Sequence, residues 1–99
     1  MLLSKNALFF VLFTTLLVSG CAVLPPVQEM SDARQALDAA REAQAERYAL
    51  QKMRGAEESM ALATRSLEQR DYESARMAAT VAKALAIKAR DEALAARDR

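Results

Sequence analysis

Histidine and tryptophan are absent from this 99-residue chain, cysteine occurs once, and glycine and proline occur twice each. Without imidazole there is no histidine-based triad and no histidine metal cluster. A single thiol, Cys21, excludes a disulfide within the chain. The three phenylalanines (Phe9, Phe10 and Phe13) all fall in the first twenty residues, which leaves Tyr48 and Tyr72 as the only aromatic side chains of residues 21–99. An excess of either charge is lacking too. The chain has 14 basic and 13 acidic side chains, and Lys5 is the only charge among the first twenty. Residues 21–99 are therefore formally neutral and carry no basic footprint for nucleic acid.

What is present falls into two dissimilar parts. The free amine and Lys5 are followed by Ala7–Val18 (ALFFVLFTTLLV), an uncharged run of twelve residues. Positive start, apolar middle and small residues before a cut site make up the layout of a secretory signal. The run is shorter than the ~20 apolar residues that span a bilayer as a helix. Leu17-Val18-Ser19-Gly20-Cys21 resembles the bacterial lipobox: an aliphatic residue, two small ones and a cysteine. The resemblance implies cleavage between Gly20 and Cys21 and a diacylglycerol thioether on the Cys21 sulfur. It also removes the anomaly of an unpaired thiol in an exported protein. One acyl chain holds only marginally, at ~0.8 kcal/mol per buried methylene, whereas lipoproteins of this type carry two or three. Ala22, which is not aspartate, follows the cysteine. In the enterobacterial sorting rule that implies the periplasmic face of the outer membrane.

Val23-Leu24-Pro25-Pro26 then reads as a short stiff spacer, with Pro26 suited to a first helical turn. Beyond it there is no proline, and Gly55 is the only glycine. Good helix formers dominate, and no period-two alternation of a strand occurs. The expected fold is all-α: an alanine-rich antiparallel bundle or hairpin of three helices, the first two either separate or one bent rod. Met30, Ala33, Leu37, Ala40 and Gln44 form one apolar stripe, and Met53, Ala56, Met60, Ala63 and Leu67 form a second. Their phases do not match, which predicts a break near Ala45–Ala49. Asp71 is a good N-cap, with Glu73 in the first turn to suit the helix dipole. After it, Tyr72, Ala75, Ala79, Ala82, Ala86, Ala89, Ala93 and Ala96 keep three-four spacing over about 36 Å.

Alanine lets helix axes approach closely, but each buried methyl contributes only ~0.8 kcal/mol. Stability is thus expected to lean on Leu37, Leu50, Leu62, Leu67, Val81, Leu85, Ile87 and Leu94. The pairs Arg54/Glu58, Glu73/Arg76 and Lys88/Glu92 should add small surface contributions.

Pro25-Pro26, Ala33–Ala40 (ARQALDAA), Glu46-Arg47-Tyr48-Ala49, Met53–Leu67 and Arg70–Arg76 (RDYESAR) together resemble the DUF4398 family of alanine-rich helical domains in exported Gram-negative lipoproteins. The family tends to have proline after the first Tyr-Ala, where this chain has Leu50, and glycine before Asp-Tyr, where this chain has Arg70. The resemblance implies fold and location and carries no chemistry. Asp71-Tyr72 with Ala75 also resembles the start of a tetratricopeptide second helix, without the full repeat.

Tyr48 and Tyr72 sit beside turns, where a tyrosine more often packs on a helix end than lines a pocket. Met30, Met53, Met60 and Met77 read as core filler before a soft metal site. Glu57-Glu58 and Asp91-Glu92 are adjacent pairs that helix geometry splays apart, so no acid–base couple is expected. Arg97 and Arg99 suit the last helix's dipole. The expected site residues are Cys21 for lipidation, Gly20 and Cys21 for cleavage, and Ala75, Ala79, Ala82, Ala86, Ala89, Ala93 and Ala96 as an interaction seam. That seam docks onto the first two helices, or its last turns overhang the second to meet another copy or a partner helix; both can hold together, since Val81, Leu85 and Lys88 lie on an adjacent face.

The chain thus divides into residues 1–20 (signal), 21–26 (lipidated cysteine and linker) and 27–99 (helical domain). No enzyme activity, metal, cofactor, nucleic acid or small-molecule substrate is expected. The partners expected are the membrane, through acyl chains on Cys21, and an envelope protein or a second copy. The function expected is an outer-membrane-anchored, non-enzymatic interaction or scaffold module. The alternative is a homo-oligomeric coiled-coil lipoprotein spacing outer membrane and peptidoglycan. With its last lysine at Lys88, the chain is not expected to join the wall covalently as the major murein lipoprotein does.

Overall fold

The computed structural model describes residues 24–99. Among them are four α-helices and no strand: α1 (Val27–Glu42), α2 (Ala45–Tyr48), α3 (Leu50–Glu68) and α4 (Tyr72–Arg97). The first two long helices are separate elements, and the break spans Ala43–Ala49 with a single turn of helix inside it. The expected break near Ala45–Ala49 thus begins two residues earlier, so Gln44 leaves the apolar stripe of α1 and is exposed.

Both long turns pass through a left-handed residue. At the end of α3, the Asp71 N–H donates to the Ser66 carbonyl (2.9 Å) and the Arg70 N–H to the Leu67 carbonyl (3.0 Å). That double bond pattern is a Schellman motif, and it needs a left-handed residue in the middle. Arg70 supplies it with φ 60°, and Gln44 does the same after α1 with φ 62°. A side chain pays a steric cost in that region that glycine does not. Arg70→Gly is therefore expected to stabilise the chain by about 0.5–1 kcal/mol, read as a higher urea midpoint. Asp71 then caps α4, its Oδ1 accepting from the Ser74 N–H (3.2 Å).

Cross-helix ion pairs set the direction of each element. Glu29 meets Arg76 (3.3 Å) and Asp32 meets Lys83 (3.7 Å), so α1 runs parallel to α4. Lys52 bonds Glu92 and Ala63 packs with Ala78, Ala79 and Ala82, so α3 runs antiparallel to it. Glu92 is thereby taken across the bundle and not by Lys88, and Arg54 and Glu58 form no ion pair either, which corrects two of the three expected pairs. Glu73 does reach Arg76 (3.6 Å). Arg41 draws Asp38, Glu46 and Glu57 to the break at 3.0, 3.7 and 3.9 Å. All these groups are partly exposed, so each pair adds only a few tenths of a kcal/mol, about the usual surface value.

Helix α4 is the central element. Both α1 and α3 pack closely on it and approach one another less. The cause lies in the side chains. Ala75, Ala79, Ala82, Ala86, Ala89 and Ala93 have no exposed area, so the axes can close on that face. Between α1 and α3 lie the bulkier Met30, Leu37, Met53 and Met60. The core forms two clusters. One joins Met30, Ala33 and Ala63 to Ala78, Ala79 and Ala82. The other joins Leu37, Ala40, Met53 and Ala56 to Ala86, Ala89 and Ala93.

The expectation that leucines carry the core is corrected. Of the eight residues named for it, only Leu37 is buried, while Leu67, Leu85 and Leu94 are half-buried. Leu50, Leu62, Val81 and Ile87 are 41–49% exposed. They sit out of phase with the alanine stripe, and axes held close by alanine leave no interior volume for them. Met30 and Met53 are the largest apolar chains in the interior. Their unbranched thioethers suit irregular space that three closely set helices leave.

Candidate functional site

The expected lipidation and cleavage residues, Cys21 and Gly20, lie outside the described residues. What is described begins at Leu24, and there the spacer is docked. Pro26 is buried as the N-cap of α1, just before the first turn where it was expected. Its carbonyl accepts from the Met30 N–H (3.0 Å). Arg76 donates through Nη2 to the Leu24 carbonyl (3.4 Å) and through Nε to Glu29 (3.3 Å), tying the spacer to α4. Leu24 and Val27 stand out at 72% and 71% exposure on this same end. A small pocket of about 130 Å³ beside them is lined by Pro25, Pro26, Met30, Arg34 and Leu67. The clamp by Arg76 had no signature in the sequence, because its partners are 47 and 52 residues away.

The alanine seam is brought together along one face of α4, and α1 and α3 cover it. Ala75, Ala79, Ala82, Ala86, Ala89 and Ala93 are interior, while Ala96 is half-buried on the last turn. Ala78 joins the buried set at 6% exposure, since a face gripped by two helices is wider than a single stripe. Of the two readings of the seam, docking within the chain is the one realised. In this fold the seam is closed to any other helix, apart from the Ala96 turn.

Tyr48 is half-buried against the larger cluster, with the Arg47 guanidinium 5.2 Å from its ring centroid. That places the ring on the break, in a packing role. Met30 and Met53 are buried and Met60 is half-buried, whereas Met77 is 62% exposed and is not core filler.

Two further surface grooves lie among the described residues. One, of about 460 Å³, is an open depression between the ends of α1 and α4, where Arg90 and Arg97 flank Ala39, Ala43 and Leu94. The other, of about 280 Å³, lies between α3 and α4 on the side away from α1 and is walled by Leu62, Ser74, Met77, Ala78 and Val81. Its walls are almost wholly apolar. Leu62 and Met77, expected in the interior, are on the surface, and Val81 lies with Lys88 on the face adjacent to the alanine seam. The spacing of Met77 and Val81 with Ala84 and Lys88 marks that face on α4.

Among the described residues, no group of three or more acidic or thiol side chains is placed to hold a metal ion. No described helix is long and apolar enough to cross a membrane. No family model matches the chain, and no curated protein or solved structure is significantly similar to it.

Proposed function

We propose that this chain is a lipid-anchored, non-enzymatic helical interaction module at the periplasmic face of the outer membrane, of the kind the DUF4398 family groups together. The observation that carries this reading is the ordered succession of Lys5, the apolar run Ala7–Val18 and Leu17-Val18-Ser19-Gly20-Cys21. A peptidase needs small residues beside its cut, and a thiol is the group that takes a diacylglycerol. The docked spacer supports the same reading. Leu24 is three positions after Cys21, and an extended chain covers at most about 11 Å over those three steps. An acylated Cys21 would hold the Leu24 end of the bundle that close to the headgroups. There the exposed Leu24 and Val27 would find an apolar boundary to rest on.

The interior offers alanine and methionine side chains, and most cross-helix carboxylates are engaged by a neighbouring cation. Such a scaffold is suited to presenting a surface.

Intact-mass analysis of the native protein from a Gram-negative host tests the anchor. The expected mass is that of a chain beginning at Cys21 with two or three acyl chains, sedimenting with outer membranes. Cys21→Ser is expected to abolish both the lipid mass and that sedimentation. An unmodified thiol, or a leader still attached, would overturn the proposal.

A further inference from the structure

Helix α4 has a second face that the other described residues leave uncovered. Met77 and Val81 are 62% and 49% exposed there, and Leu62 of α3 flanks them at 48%. Ala84 continues the stripe and is exposed. Thr80 lies within it, its hydroxyl already satisfied by the Arg76 carbonyl (2.9 Å). The spacing Glu73, Met77, Thr80–Val81, Ala84, Lys88 follows the three-four rule of one helix face. Its centre is apolar, and its two ends carry opposite charge. Lys88 forms no ion pair among the described residues, and Glu73 is 75% exposed beside its one neighbour, Arg76.

The geometry points to this face as a two-fold interface with a second copy of the chain, α4 packed antiparallel on α4. Centre the two-fold between Thr80 and Val81. Met77 then lies opposite the partner's Ala84, so a large side chain meets a small one. Glu73 lies opposite the partner's Lys88. Symmetry repeats each pair. A parallel two-fold would set Glu73 against the partner's Glu73 and Lys88 against the partner's Lys88, so the charges select the antiparallel arrangement. This self-complementarity is what names a second copy as the occupant.

The apolar centre supplies the attraction, and the charged ends fix direction and register, since exposed pairs are worth little each. The stretch from Glu73 to Lys88 is about 22 Å long, so the interface is small and the association weak in dilute solution. Confinement on a bilayer raises the effective concentration. The two-fold stands perpendicular to the plane of the two α4 helices. Both Leu24 ends therefore sit at equal height, as two anchors in one leaflet require. The inference deepens the interaction-module reading by naming the partner, and it holds or fails independently of acylation.

The test uses the full native chain in density-matched detergent, with the mass of each sample read in parallel so that loss of the anchor and loss of the dimer are separate results. Sedimentation equilibrium is expected to show a monomer–dimer equilibrium. Glu73→Lys and Lys88→Glu are each expected to weaken it by about tenfold or more, and the double reversal to restore it. Val81→Arg is expected to give monomer with an unchanged urea midpoint, since position 81 is outside the core. Thr80→Cys is expected to cross-link to itself far faster than Gln35→Cys on the exposed side of α1. A native chain monomeric throughout, a double reversal no tighter than the singles, or Thr80→Cys cross-linking only to a different protein would each overturn the assignment.

Discussion

Replacing Ala86 with leucine is expected to cost about 3 kcal/mol of folding stability. Ala86 has no exposed area and shares its cluster with Leu37, Met53 and Ala56, so the three added carbons enter space already occupied by α1 and α3. Overpacked cores relax by moving backbone. Here both neighbours would have to retreat from α4, loosening the contacts of Ala82, Ala89 and Ala93 as well. Ala95→Leu on the same helix is the control. Position 95 is exposed, and leucine and alanine are both good helix formers, so its urea midpoint should stay within about 0.5 kcal/mol of the native chain. If the two variants unfolded at the same midpoint, close alanine packing would not be what holds the bundle.

Truncating Met53 is expected to be as damaging from the opposite direction. Met53 is 1% exposed and, with Met30, one of the two largest apolar side chains fully inside the protein. Met53→Ala removes transfer free energy and leaves a cavity, together about 2–5 kcal/mol. A domain this small has little stability to lose. The variant should therefore show a much lower thermal midpoint by far-UV circular dichroism. Met53→Leu, which nearly conserves volume, should cost less than about 1.5 kcal/mol. A Met53→Ala protein melting with the native chain would mean that interior volume at the break is not limiting.

The sequence carried the helices well and the core unevenly. Helix content follows from composition and from the absence of proline beyond Pro26, both local properties. The second turn was legible because Asp71 is a capping residue and caps act within three residues. The first turn was legible only as a phase slip, and its true start at Ala43 was not. Gln44 adopts a left-handed conformation that its residue type does not announce. The alanine stripe was legible as one helix face because its period survives over seven steps, and α1 and α3 bury that face. The leucines were misassigned because hydrophobicity alone does not say which face a helix turns inward. Likewise Lys88/Glu92 satisfies the spacing of a helix pair, yet Glu92 is drawn off by Lys52, forty residues away. Spacing rules see only neighbours along the chain.

The amino-acid order alone determined that residues 27–99 are helical and that one helix bears a continuous alanine face. Those features rest on local propensity and periodicity, neither of which needs a partner element. Only the tertiary structure decided that α1 and α3 both close onto that alanine face. It likewise decided that Met30, Met53 and Leu37 are the large side chains of the interior, and that Met77, Val81 and Leu62 are left outside. The reason is geometric. Small side chains draw three axes together, and how much room then remains for each large one depends on residues distant in the chain.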